Sequence, residues 1–369
     1  MTAVAGAHGG GCEPVGGPPH PEGRGPVADR LGLRAWFELA VRFARLPTLI
    51  LVYLHMLFFA LCLGSFTVDA QLVVKVAAAV VAMTLCYTNA TAVNDLSDEA
   101  TDAINLAGDP DRPLVAGVAG RGSVVRVAVV TGAACLAASL AVSWWAALVT
   151  GVMLLLNVVY SMPPTRLSSR GALAQALLPL EYCVYPAVLM VFACGGFTWT
   201  YAAVVASMYL IFVGRLFLKD IRDEVGDRAT GKLTFVVRHS KHAAIVQSAF
   251  WTITGTLALS VVMFLGLDAN PAFVFGFCAL SLAGQVTALV QCDREPDVAR
   301  ARLYTGVYGR WISMKVFFYV MVITLARSNT SVMVESVVLG LVVLLVVTNV
   351  FTLYDNLARQ RRAGAETGA

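Results

Sequence analysis

Two short acidic runs, NDLSDEATD from Asn94 and KDIRDEVGD from Lys219, each place three aspartates at relative offsets 0, +3 and +7. At 3.6 residues per turn these offsets fall within about 60° of one another on a helix. Asp95, Asp98 and Asp102 would then form one stripe, and Asp220, Asp223 and Asp227 another. Carboxylates this crowded repel one another unless a cation sits between them, and hard oxygen ligands favour Mg²⁺ or Ca²⁺. Mg²⁺ keeps several waters and usually shares its sphere with substrate phosphates. Two facing stripes therefore suggest an Mg²⁺-dependent clamp for a diphosphate. One acidic run alone would read more simply as a solvated helix end. Two matching runs, each closing an apolar stretch in a chain with 14% charged residues, weaken that simpler reading. Glu99 and Glu224 recur at matched offsets but fall off the stripes and read as solvated.

A diphosphate also needs positive partners. Candidates are Arg112 in DPDRPLVAG, Tyr160 and Arg166 in YSMPPTRLSSRG, and Lys219, Arg222, Arg228 and Lys232 in KDIRDEVGDRATGK. Arg suits bidentate phosphate contact and Lys acts as a point charge. Any one of these basic residues reads equally well as a marker of the cytoplasmic side, and Tyr160 as an interfacial anchor. Glu181 stands inside an apolar run, where a carboxylate is a functional candidate by default; it suits orienting an acceptor, taking its proton, or bonding a neighbouring helix. Tyr87, Tyr182, Tyr185, Tyr209, Phe212 and Phe217 offer aromatic faces to a carbocation, or ordinary packing. His55, also in an apolar run, reads as packing.

The elements that must position these groups are membrane spans. The 369 residues are 58% hydrophobic, with a mean hydropathy of +0.73, beyond what a soluble domain carries. Apolar runs near the length of a span cover residues 46–66, 71–93, 123–143, 144–160, 172–194, 199–218, 243–266, 271–291, 311–326 and 332–354. With the N-terminus inside, nearly all of the 27 Lys and Arg residues fall in cytoplasmic segments, as the positive-inside tendency requires. Both acidic runs then open long cytoplasmic loops, about 94–122 and 219–242, and a charged loop spans about 292–310. The basic residues are dispersed, so the net charge of +4 reports membrane orientation and not nucleic-acid binding. The eight cysteines show no metal-ligand spacing. Residues 1–30 read as a disordered cytoplasmic tail, 31–45 as an amphipathic interfacial helix, 46–356 as the transmembrane domain, and 357–369 as a second tail.

NDLSDEATDAINLAGDPDRPLVAG, YSMPPTRLSSRG and KDIRDEVGDRATGKLTF together resemble the UbiA superfamily of intramembrane prenyltransferases, over residues 45–326. The resemblance implies an all-α, polytopic nine-helix bundle around a central cavity; the run at 332–354 would add a further C-terminal helix. It also implies Mg²⁺ held by Asn94, Asp95, Asp98 and Asp102 from the first motif and Asp220, Asp223 and Asp227 from the second. Tyr160 and Arg166 would help hold an isoprenyl diphosphate. The chain departs from the family pattern in having no lysine after Leu167. Arg45 and Pro47 stand where the family often has an Arg-Pro pair near the substrate mouth. The implied reaction transfers an isoprenyl group to a hydrophobic aromatic or lipid acceptor within the membrane. A terpene cyclase using the same motifs without an acceptor is the main rival. A carrier is the other rival, although carrier sites usually lie near the bilayer midplane, not at its edge. The composition hints at a bacterial cell membrane, with the site opening to the cytoplasm.

Overall fold

The computed structural model describes residues 32–326, apart from Pro47, residues 50–53, Ser65, Gly108, Pro110 and residues 268–270. The expected tails and the run at 332–354 lie outside the described residues. Among the described residues every regular element is helical, and eight helices are long and apolar enough to cross a membrane. Within the expected first span lies α2 (Leu54–Leu63), a 10-residue helix, and α1 (Leu33–Ala44) precedes it.

α1 packs Leu39 and Phe43 onto the bundle and leaves Leu33 and Phe37 exposed. It is followed by α3 (Ala70–Asn105), α4 (Arg121–Val142) and α5 (Trp144–Ser161). α3 is 36 residues long, well beyond the roughly 20 residues that cross a bilayer. The sequence expectation of a loop from residue 94 is corrected here: no Gly or Pro interrupts residues 70–107, so the span runs on as helix and carries the first acidic motif with it. Asp69 caps α3, its carboxylate accepting from the Leu72 amide at 2.7 Å, and Ser143 caps α5 by accepting from Ala146 at 3.1 Å. Both caps lie at the ends remote from the motifs.

The next span is broken. α6 (Ala172–Pro179) passes through a π-helical turn, Leu180–Val184, into α7 (Tyr185–Cys194). Pro179, which removes one backbone donor, immediately precedes the wide turn. α8 (Trp199–Phe217) follows, and after it the second motif folds as two short pieces, a 3₁₀ turn Lys219–Ile221 and α9 (Glu224–Ala229). This corrects the picture of a second regular helical stripe, since Asp220 sits in the 3₁₀ turn, Asp223 at the junction and Asp227 in α9. The chain continues through α10 (Phe235–Arg238), α11 (Lys241–Leu267), α12 (Pro271–Arg294) and α13 (Val298–Ala326). The charged loop expected at 292–310 is largely helical, because α13 starts at Val298.

α3 packs along α4 and α5, α8 along α11, and α12 against both α11 and α13, around one large apolar cluster. Lys315 is fully buried on α13 and ties three helices together, donating to Thr256 Oγ1 of α11 at 2.5 Å and to the Gln285 side chain of α12. The short α9 packs on the extended end of α3. That contact brings the two acidic motifs together.

Candidate active site

Three connections clasp the second motif to α3. The Thr101 and Thr230 hydroxyls hydrogen-bond at 2.9 Å. Asn105, the last residue of α3, donates from Nδ2 to the Asp223 carbonyl at 2.9 Å and accepts from the Gly226 amide through Oδ1 at 2.8 Å. A Cβ at Gly226 would lie 2.5 Å from Asn105 Nδ2, so glycine there is what lets the two segments close. Gly231, at φ +70°, turns the chain after α9. Lys232 then reaches back to Asp98 Oδ2 at 2.8 Å while lying 3.8 Å from Asp227 Oδ1.

Each aspartate of the first stripe is held by cations. Asp95 Oδ1 accepts from Arg112 Nη1 at 2.5 Å and from Arg45 Nη2 at 3.1 Å. Asp98 accepts from Lys232, from Arg166 Nη2 at 2.9 Å and from Asn94 Nδ2 at 3.2 Å. Asp102 pairs with Arg112 at 3.2 Å, so one guanidinium bridges two turns of the stripe. In the second motif, Asp220 accepts from Gln175 Nε2 of α6 at 2.7 Å, and Asp223 takes a two-point contact from Arg222 at 2.6 and 2.9 Å. Burial alone would lower the Arg112 and Arg222 pKa values, but their carboxylate partners hold both above the usual range. Burial would likewise raise the Asp223 carboxyl, yet Arg222 keeps it low. Asp227 behaves oppositely: burial pushes its carboxyl up to about 7 against the pull of Lys232, and Asp220, Asp223 and Asp98 add to the rise.

A cavity of about 220 Å³ opens beside the first stripe. Asn94, Arg112, Tyr160, Glu181 and Lys219 line it, and Arg45, Arg222, Tyr87 and Tyr182 complete its charged and aromatic wall. Lys219 places its ammonium 6.0 Å from the centre of the Tyr160 ring. Glu181 enters the wall from the π-helical turn and is 3% exposed. Arg166 comes from the loop after α5, which Ser97 of α3 pins by donating to the Ser161 carbonyl.

Arg228, expected among the phosphate partners, is not part of this assembly. Its side chain is 63% exposed and pairs with Glu224 one turn away, because a residue following Asp227 in a short helix points outward. Of the six aromatic candidates, Tyr87 and Tyr182 line the cavity. Phe212 lies between His55 and Tyr182, with ring centroids 5.1 and 6.1 Å away, Tyr185 bonds Thr150, and Phe217 packs on Phe235. Tyr209 faces a separate apolar groove. Asn105 and Gln175 were not foreseen. Their one sequence signal is position: Asn105 lies one helical turn beyond Asp102, and Gln175 is a polar residue inside an apolar run.

The donor set is oxygen-rich, as Mg²⁺ requires. Asp95 Oδ2 and both oxygens of Asp227 are buried without a hydrogen-bond partner, acceptors that a cation would satisfy. Among the described residues no three carboxylates converge closely enough to enclose an ion by themselves. That geometry fits a metal shared between one or two carboxylates and a phosphate-bearing ligand, the usual habit of Mg²⁺.

Comparison with known proteins places this architecture. The model of the UbiA prenyltransferase family matches residues 54–307. Over 248 residues the chain is 26% identical to digeranylgeranylglyceryl phosphate synthase of Natronomonas pharaonis, covering 66% of this chain and 84% of that protein. A solved structure concerning digeranylgeranylglyceryl phosphate synthase in membranes superposes with a TM-score of 0.57 at 15% identity, covering 78% of this chain and 98% of that one. The UbiA homologue from Archaeoglobus fulgidus bound to DMAPP and Mg²⁺ superposes with a TM-score of 0.55 at 14% identity, covering 75% and 98%. The apo homologue from Aeropyrum pernix K1 gives 0.53 at 16% identity, covering 74% and 97%.

Proposed function

This integral membrane chain belongs to the UbiA prenyltransferase family, and from that premise we propose that it transfers an isoprenyl group from a prenyl diphosphate to a hydrophobic aromatic or lipid acceptor, with Mg²⁺ as cofactor. The observation that carries the reading is the clasp: two acidic motifs far apart in sequence meet through Asn105, Thr101 and Lys232 beside a cavity lined by Arg45, Arg112, Lys219 and Arg222. The A. fulgidus homologue, described as bound to DMAPP and Mg²⁺, supports both the donor and the ion. The relative named digeranylgeranylglyceryl phosphate synthase supports a lipid-like acceptor.

Asp95, Asp98, Asp220 and Asp227 are the residues nearest the chemistry, with Asn94 supporting Asp98. Asp102 and Asp223 complete the proposed metal set while fixing Arg112 and Arg222. When bound, Mg²⁺ would neutralise the diphosphate and favour its departure. We assign Lys219, Arg112, Arg166 and Lys232 to stabilise the charge that develops on the leaving diphosphate oxygens as the allylic C–O bond opens. Tyr87, Tyr160 and Tyr182 turn aromatic surface toward the cavity and shield the allylic fragment from water. Glu181, buried in the cavity wall, is the group we assign to accept the proton that the acceptor loses on forming its new bond. The cavity mouth faces the cytoplasm, following the distribution of basic residues.

The test is purified protein with Mg²⁺ and labelled geranyl, farnesyl or geranylgeranyl diphosphate, with and without acceptor. Diphosphate release should require an acceptor, and should vanish in Asp95→Ala and Asp220→Ala. Cyclic hydrocarbon formed from diphosphate alone, and lost in both variants, would replace this reading with a cyclase.

A further inference from the structure

Among the described residues, two that are not glycine have a positive φ: Arg45 at 42° and Arg166 at 36°. Both are arginines, and each holds one aspartate of the first motif, Arg45 on Asp95 and Arg166 on Asp98. Left-handed backbone disfavours a residue with a Cβ, and such strain persists where surrounding structure imposes it, often at functional sites. Arg45 forms the corner between α1 and the first apolar run, and Arg166 the corner between α5 and α6.

The arrangement around Asp95 and Asp98 is twofold. Each aspartate has one well-buried cation, Arg112 or Lys232, with side chains 9% and 8% exposed. Each also has one of the strained arginines, whose side chains are 24% and 25% exposed. Neither strained arginine is bidentate to its aspartate; each contacts the carboxylate through Nη2 alone, and Nε of both is buried with no hydrogen-bond partner. On the other side of the contact, Asp95 Oδ2 is a buried acceptor with no partner. At Arg45–Asp95 a fork with an unused donor meets a carboxylate with an unused acceptor, so the pairing is incomplete on both sides; at Arg166–Asp98 it is incomplete on the arginine alone, since Asp98 Oδ1 takes Arg166 and Oδ2 takes Lys232 and Asn94.

The geometry points to Arg45 and Arg166 as exchangeable counter-ions: they neutralise Asp95 and Asp98 until a diphosphate and its divalent ion arrive, then transfer their donors to diphosphate oxygens while the aspartates turn to the ion. Arg112 and Lys232 stay in place throughout. This rests on the diphosphate reading above and adds a specific consequence. The two arginines oppose binding of the metal alone, because they occupy its ligands, and promote binding of the diphosphate. Empty metal binding is thereby kept weak, and the site charges itself only when both components are present.

The experiment uses full-length protein in detergent, with Mn²⁺ alone followed by electron paramagnetic resonance, and inorganic pyrophosphate with Mn²⁺ followed by calorimetry. Arg45→Gly and Arg166→Gly remove the side chain and tolerate the backbone. Arg45→Asn and Arg166→Asn, which also accept a left-handed backbone, are used if a glycine variant does not fold. Each variant should bind Mn²⁺ alone about tenfold more tightly, a modest share of what a unit charge a few ångströms away is worth at a protein surface. Each should bind pyrophosphate about tenfold more weakly, since a charge-assisted contact is lost. Opposite signs on the two probes are the signature, because a purely structural role would weaken both together. Affinities that fall together, or Mn²⁺ binding that does not change, overturn the exchange. Wild-type protein that binds neither probe overturns the diphosphate reading as well.

Discussion

Asn105→Ala tests whether the clasp between the motifs, more than the aspartates alone, makes the site. The substitution deletes the donor to the Asp223 carbonyl and the acceptor for the Gly226 amide, at 2.9 and 2.8 Å. Each such hydrogen bond contributes about 0.5–1.5 kcal/mol net, so the pair is worth about 1–3 kcal/mol of attachment between α9 and α3. If that attachment is what holds the second motif at its working distance, the loss appears in the transition state as a fall in kcat/KM of about fivefold to 150-fold. Asn105 is at the end of α3 and outside the main apolar cluster, so the melting temperature should scarcely move. The assay is initial-rate diphosphate release over a range of donor and Mg²⁺ concentrations. Activity should fall and the Mg²⁺ needed for half-maximal rate should rise. Wild-type kcat/KM in a well-folded variant would refute the reasoning, and so would a loss fully accounted for by a lowered melting temperature.

Gly226→Ala should reproduce much of this effect from the opposite side, since its Cβ would lie 2.5–2.8 Å from the Asn105 side chain; combining the two variants should cost less than the sum, read as a double-mutant cycle. Arg228→Ala should leave kcat/KM within about twofold, because an exposed helix pair such as Arg228–Glu224 is worth little, and a larger loss would return Arg228 to the site. Asp227 should make the Mg²⁺ requirement pH-dependent. Burial raises its carboxyl to about 7, so the fold favours the protonated form, and its stability contribution declines as pH rises from the ordinary carboxylate range through 7. Metal binding follows the opposite sign, because the proton competes for the same oxygens. The Mg²⁺ needed for half-maximal rate should therefore climb below about pH 7, approaching tenfold per unit. A requirement that stays flat between pH 8 and pH 6 in Mg²⁺ titrations contradicts this.

Much of the protein was legible in order along the chain. Apolar runs bounded by polar residues mark spans because the bilayer demands a length of helix, and three aspartates at 0, +3 and +7 mark a shared face because helix geometry is periodic. Those are local rules, and they placed both acidic motifs and most of the basic residues near one another. The same rules missed where α3 ends. A charged stretch reads as a loop, yet the 36-residue helix carries Asp95, Asp98 and Asp102 as one rigid face since no Gly or Pro breaks it. They also made the second motif too regular, because the periodicity that forms a stripe says nothing about the break between the 3₁₀ turn and α9.

What sequence by itself determined is the membrane class, the helical architecture and the two aspartate sets, since each depends on composition or on residues a few positions apart. Tertiary structure alone decided which cations neutralise which aspartates. Lys232 meets Asp98 across 134 positions, Asn105 reaches the second motif across 121, and Gln175 meets Asp220 across 45. Arg228 stands beside Asp227 in the chain and points away from it. Pairing at such separations follows from how α3, α6 and α9 pack, and side-chain direction on a short helix follows from its few residues of register; neither is written in spacing along the chain.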